Sequence, residues 1–151
     1  MATVKVSDHF TAPIEKVFRY FSDVEHAPAH VSGIKRIDML TTGPIGLGSR
    51  WRETRETLDV TDSAEMEVTS FERNRTYTIT HHKGGVRIDT LFWFEPSEKD
   101  GTTVSVEFEI DTGGLPPGIL APLNWAIAGK VREVLGHDLA DLKKSLELGV
   151  P

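Results

Sequence analysis

The 151-residue chain contains no cysteine. That excludes a disulfide framework, a thiolate metal site and a cysteine nucleophile, and leaves packing alone to hold the fold. Positive charge is also in short supply: Lys+Arg 17 against Asp+Glu 23 gives a formal net charge of -6. A nucleic-acid surface needs a concentrated positive field, so that class of partner is set aside. No apolar run reaches the roughly 20 residues that cross a bilayer. The most apolar stretch, LPPGILAPLNWAIA at 115–128, is broken by Pro116, Pro117 and Pro122. MATVKVSDHF lacks the basic start and apolar core of a secretory signal. A cytoplasmic location without membrane insertion is therefore the expectation.

What is present describes an ordinary globular protein, with 38% apolar and 26% charged residues. The length suits one domain over 1–151, with one real core. Residues 3 to 10 read as a half-buried strand. Thr11-Ala12-Pro13 then opens a helix, with Thr11 as its cap and Ile14, Val17, Phe18 and Phe21 at the i, i+3, i+4, i+7 spacing of one buried face. Ser22-Asp23 ends it and caps a short second helix, Val24 to Val31, interrupted by Pro28.

From Ile34 the apolar period becomes two and stays so for roughly eighty residues. Turn residues at Gly43–Gly48, near Asp59–Asp62, at Arg73–Arg75, Gly84-Gly85 and Asp100-Gly101 divide this stretch into six further strands of an antiparallel meander. The clearest runs from Thr103 to Ile110, where Val104, Val106, Phe108 and Ile110 share one face. After GGLPPG, a helix from about Ile119 to Leu148 carries the stripe Leu120, Leu123, Ile127, Val131, Val134, Leu135, Leu139, Leu142 and Leu146. At 1.5 Å per residue such a helix spans about 45 Å, enough to cross the whole sheet.

GPIGLGSRW, residues 43 to 51, is the nearest thing to a phosphate loop. Such loops place their glycines between a strand and a helix, so that helix N–H groups meet the anion. This one leads into SRWRETRET, which alternates as a strand, and its spacing matches neither common phosphate motif.

TAPIEKVFRYFSDVEHAPAHVSGI, then GPIGLGSRWRET, GTTVSVEFEI and a terminal LADLKKSLE together resemble the START/SRPBCC superfamily, in its polyketide cyclase/dehydrase-like branch. The resemblance covers essentially the whole chain through order, spacing and short motifs rather than a catalytic signature. It implies an α+β helix-grip (START-like) fold: a curved seven-stranded antiparallel sheet around a long C-terminal helix, with two short helices after strand 1. A deep apolar cavity between sheet and helix follows, expected at about 300–1,000 Å³. The glycine-rich turn would shape a hairpin near the cavity mouth, making Gly43, Gly46 and Gly48 backbone residues rather than ligands.

Within that frame, Trp51, Glu53 and Arg55 point inward by the two-residue period, with Arg50, Arg52, Thr54 and Glu56 outward. A carboxylate and a guanidinium there either orient a polar ligand group or pair with each other. Tyr77 and Ile79 set the inward schedule of the fifth strand, so His81 faces in and His82 out. His81 is the one candidate catalytic residue, a general base titrating near neutrality; the alternative is a hydrogen-bonded lining residue. Met66, Phe92, Leu120, Leu123, Asn124 and Ile127 complete the expected ligand-binding set. His26 and His30 have i, i+4 spacing, but Pro28 lies between them and the H-E-x-x-H glutamate is missing. No metal and no cofactor are expected. Leu91 and Trp93 fall on the outer face of the sixth strand, a surface suited to a partner or to a homodimer.

Three functions remain open. The first is binding of a small hydrophobic, lipid- or polyketide-like molecule. The second is a polyketide cyclase or dehydratase acting through His81, Arg55 and Glu53. The third is an interaction module related to family members that activate chaperone ATPases, working through Leu91 and Trp93.

Overall fold

The computed structural model describes residues 2–57, 60–83, 85–111 and 117–148, with the side chains of all these except 2, 57, 60 and 117–128. Its elements are β1 (Ala2–Phe10), α1 (Ile14–Ser22), a 3₁₀ segment (Val24–Ala29), β2 (Ile34–Met39), β3 (Arg50–Thr57), β4 (Val60–Glu72), β5 (Thr76–Lys83), β6 (Val86–Ser97), β7 (Gly101–Asp111) and α2 (Pro117–Glu147). The seven strands form one antiparallel sheet in the order β1-β7-β6-β5-β4-β3-β2. Six strands thus follow in sequence as a meander, and β1 closes onto the last of them. Register shifts at Ile34/Arg36 and Val68/Ser70 mark bulges, which bend strands and increase their twist.

The periodicities account for these elements. In α1, Val17, Phe18 and Phe21 are buried against Phe10, Tyr77, Phe94, Val104 and Val106 of the sheet and Leu139 and Leu146 of α2. Phe18 meets Phe94 edge to face at 5.0 Å between ring centroids, the arrangement aromatic quadrupoles favour. Leu135, Leu139, Leu142 and Leu146 of the α2 stripe face the same core, and two polar contacts tie the helix to the start of the chain: Lys143 Nζ donates to Asp8 Oδ1 at 3.2 Å, and Thr11 Oγ1 to Glu147 Oε2 at 2.6 Å.

That last contact corrects an expectation. Pro13, not Thr11, stands at the N-cap of α1, and no side chain caps it; the Thr11 hydroxyl is committed to α2 instead. Asp23 likewise occupies the N-cap position of the 3₁₀ segment without a capping bond, because its carboxylate receives His26 Nδ1 at 2.8 Å. The 3₁₀ segment also ends earlier than the expected helix. Val60 already begins β4, so Thr61 and Asp62, expected in a turn, belong to the strand.

The glycine-rich loop uses its glycines for their backbone. Gly43 and Gly48 adopt φ of 84° and 87°, a region that residues with a Cβ rarely enter. The loop buries Ile45 beside Val24, Trp51 and Val68, at the Arg50 end of β3. None of its residues lines the cavity described below, whose wall begins with the next residue, Trp51.

Candidate functional site

A cavity of about 540 Å³ lies between the concave face of the sheet and α2. Its walls are mostly apolar: Met66 from β4, Tyr77 and Ile79 from β5, Phe92 from β6, Phe108 from β7, and Val131, Val134, Leu135, Leu139 and Leu142 from α2. Tyr20 and Phe21 of α1 and Val24 and Ala27 of the 3₁₀ segment close another side. Strand alternation produces the sheet wall and the three-to-four-residue stripe produces the helix wall, so the two periodicities face each other across a gap that neither fills.

Trp51, Glu53, Arg55, Met66, Tyr77, Ile79, His81 and Phe92 all line this one cavity. Leu120, Leu123, Asn124 and Ile127 lie outside the described side chains. Asp138 was missed by sequence reasoning. It joins the wall at a position three residues after Leu135 and four after Val134, so a carboxylate interrupting the apolar stripe was the available signal.

Asp138 and Arg55 make the polar pole of the cavity. Arg55 Nη1 donates to Asp138 Oδ1 at 3.1 Å and Oδ2 at 3.0 Å, and Nη2 reaches Glu53 Oε2 at 3.5 Å. The side chains are only 26% (Arg55), 19% (Asp138) and 13% (Glu53) exposed. Gly33 sits so close that a Cβ there would lie 3.2 Å from Arg55 Nη1, which makes the glycine part of the guanidinium's seat.

Burial pushes the Glu53 and Asp138 carboxyls above their ordinary range, and the Arg55 charge only partly offsets it. Burial works against the Arg55 cation too, but Asp138 and Glu53 outweigh it and the net shift is upward. Two carboxyls share one guanidinium, so the cluster carries one excess negative charge when both are ionised. A second hollow of about 390 Å³, lined by Lys35, Glu56, Glu133 and His137 among others, shares Arg55, Lys130, Val134 and Asp138 with the first. The ion pair is therefore a common wall between an apolar interior and a polar groove.

Trp51 is fully buried, and its Nε1 has no hydrogen-bond partner among the described residues. The indole still acts on the Glu53 carboxyl, two positions along the same strand face, and favours its ionised form. The contact falls short of hydrogen-bond geometry.

His81 lines the cavity on β5, and its pKa is lowered first by burial and then by Lys83 and His82. Both effects favour the neutral imidazole, the form a general base needs. Lys83 itself is paired with Asp62. His26 and His30 do not converge: the first pairs with Asp23, while His30 Nδ1 lies 2.8 Å from Tyr20 Oη and 2.7 Å from Ser145 Oγ, fastening the 3₁₀ segment to both helices. No group of metal-ligating side chains occurs among the described residues. On the outer face, Lys5 Nζ lies 5.7 Å over the Trp93 ring, so that aromatic is partly covered by its own chain. No helix among the described residues is long and apolar enough to cross a membrane.

An open antiparallel sheet gripping a long C-terminal helix around an apolar cavity defines a helix-grip protein of the START type. The chain belongs to the family described as polyketide cyclase / dehydrase and lipid transport, which it matches over residues 1–147. Among solved structures, the Zhui aromatase/cyclase from Streptomyces sp. R1128 is similar at a TM-score of 0.80 and 12% identity, over 99% of this chain and 95% of that one. A START superfamily protein from Mycobacterium smegmatis is similar at 0.68 and 20% identity, over 99% and 97%. TTHA0849 from Thermus thermophilus is similar at 0.77 and 17% identity, over 99% of each chain. At such identities the likeness speaks for the fold alone. No curated protein matches the chain.

Proposed function

We propose that this protein binds a small hydrophobic or aromatic molecule in the cavity between the sheet and α2. The observation that carries the reading is the cavity itself: about 540 Å³ of space with apolar walls and one buried charged cluster. A cavity of about 150 Å³ suffices for benzene, so there is room for a molecule of about three fused rings. Apolar walls provide affinity and the few polar groups provide orientation.

The test is saturable uptake of a hydrophobic dye and its displacement by fused-ring aromatics. Val131→Arg, which sets a charge in the apolar wall, should weaken both by at least about tenfold, since burying a charge costs several kcal/mol. Absence of saturable uptake in the folded wild type would overturn the reading.

A second reading, an enzyme of the cyclase or dehydratase kind, is favoured by the neutral His81 lining the same cavity as the Arg55–Asp138 pair. His81→Gln should then keep ligand affinity within a few fold while turnover of a linear polyketide mimic falls by about 10²–10⁴. Wild-type protein that binds such mimics without converting any of them leaves binding as the function.

A further inference from the structure

The cavity has a second polar end, away from β3 and about 10 Å along α2 from Asp138. There Tyr20 of α1, His30 at the C-cap of the 3₁₀ segment and Ser145 of α2 converge. His30 Nδ1 lies 2.8 Å from Tyr20 Oη and 2.7 Å from Ser145 Oγ, and the two hydroxyls also meet each other. The imidazole and phenol rings pack with centroids 4.5 Å apart. Ser145 is buried, whereas Tyr20 and His30 both line the cavity, as do Phe21, Val31 and Leu142.

These contacts fix one ring nitrogen and leave the other. His30 Nε2 has no hydrogen-bond partner among the described residues. It is also reachable, since the described polar side-chain atoms that are sealed in without a partner belong to Trp51 and Ser97. Its role follows from counting protons. Each hydroxyl brings one, and both can donate within the cluster only if Nδ1 accepts, which puts the ring proton on Nε2. A donor then points from a ring clamped on two sides. His81, the other imidazole of the cavity wall, has no hydrogen bond among the described residues to hold its ring.

The surroundings narrow what this donor takes. Asp23, which also lines the cavity, is held by His26. A ligand anion needs a cation to offset its desolvation, and the Arg55 guanidinium is taken by Asp138 and Glu53. A neutral acceptor needs only the N–H. We propose that His30 Nε2, positioned by Tyr20 and Ser145, is a ligand-binding donor at the 3₁₀ end of the cavity, which takes an uncharged acceptor, a carbonyl oxygen or an aromatic ring nitrogen. The inference rests on the cavity being a ligand site and adds where the ligand's acceptor lies.

Two probes of one shape test it by calorimetry on the full-length protein at about pH 8, above the ordinary imidazole range. They are 2-acetylnaphthalene and 2-isopropenylnaphthalene, which exchange a C=O for a C=CH₂. The ketone-to-alkene affinity ratio should fall about 5–10-fold in His30→Phe, the worth of one net hydrogen bond. His30→Gln, whose amide keeps a donor, should hold that ratio within about twofold of wild type. Long-range ¹H–¹⁵N spectra of the wild type should show the His30 proton on Nε2, and that signal should shift with the ketone and not with the alkene. This readout needs no substitution, so it stands where a variant fails to fold. A His30 proton on Nδ1 overturns the subsite and leaves the cavity reading standing. So does an Nε2 signal that answers both probes alike, a ratio unchanged in folded His30→Phe, or a loss as large in His30→Gln as in His30→Phe. Failure of both probes to bind the wild type overturns both.

Discussion

Replacing Arg55 by methionine should destabilise the fold more than any exposed charge change, and in a pH-dependent way. The substitution keeps the aliphatic stem and removes the two contacts to Asp138 at 3.0 and 3.1 Å and the longer one to Glu53 at 3.5 Å. Breaking a buried ion pair from one side costs about 3–5 kcal/mol, because the remaining charge is left uncompensated. Here the partners keep 13–26% of their exposure, and each carboxyl can take up a proton, so the low end, about 3 kcal/mol, is expected at neutral pH. For a chain of this size that is a fall in Tm of about 6–12 °C. The sign with pH follows from linkage. Glu53 and Asp138 already have raised pKa values in the folded state, and losing Arg55 raises them further. Carboxyls raised on folding stabilise below their unfolded pKa, and that stability is lost as pH climbs through the folded values. The deficit of Arg55→Met should therefore shrink on acidification toward the ordinary carboxylate range and be largest at neutral to alkaline pH. Urea denaturation across that range measures it. The companion Arg55→Met/Asp138→Leu should recover part of the loss, because removing the second charge removes the uncompensated one. A loss under about 1 kcal/mol that is flat with pH would show the cluster to be screened by water and would refute the reasoning.

Two glycines give opposite outcomes in the same assay. A Cβ on Gly101 would lie 2.6 Å from His9 Nε2 and 2.9 Å from the Phe10 carbonyl oxygen, so Gly101→Ala should cost about 1–3 kcal/mol. Gly136, exposed in α2 with nothing within 4 Å of its Cβ position, should stabilise by about 0.4–1 kcal/mol as Gly136→Ala. For His81, NMR titration should place its pKa below the ordinary histidine value, and Lys83→Met should move it upward by removing the neighbouring cation. Because that pKa is depressed, the stability linked to it is present above the unfolded value and is lost as pH falls toward the folded one.

Much of this architecture was legible along the chain because alternation and helical stripes are local. Trp51, Glu53 and Arg55 had to share a face of β3 once that segment was a strand, and His81 had to lie opposite His82. The same arithmetic placed Val131, Val134, Leu135, Leu139 and Leu142 on one side of α2. Where local cues failed, another partner had outcompeted them. Thr11 is a good capping residue whose hydroxyl the C-terminal turn of α2 takes through Glu147, and Asp23 gives its carboxylate to His26. The meeting of Arg55 with Asp138, 83 positions apart, depends on how α2 lies across the sheet, which no periodicity encodes. The same holds for the indole of Trp51: its inward direction is a property of the strand, but its complete burial is a property of everything packed around it. The sequence determined which side each residue faces. Only the tertiary structure decided what each would meet there, because register is set by near neighbours and contact by the packing of the whole sheet against one helix.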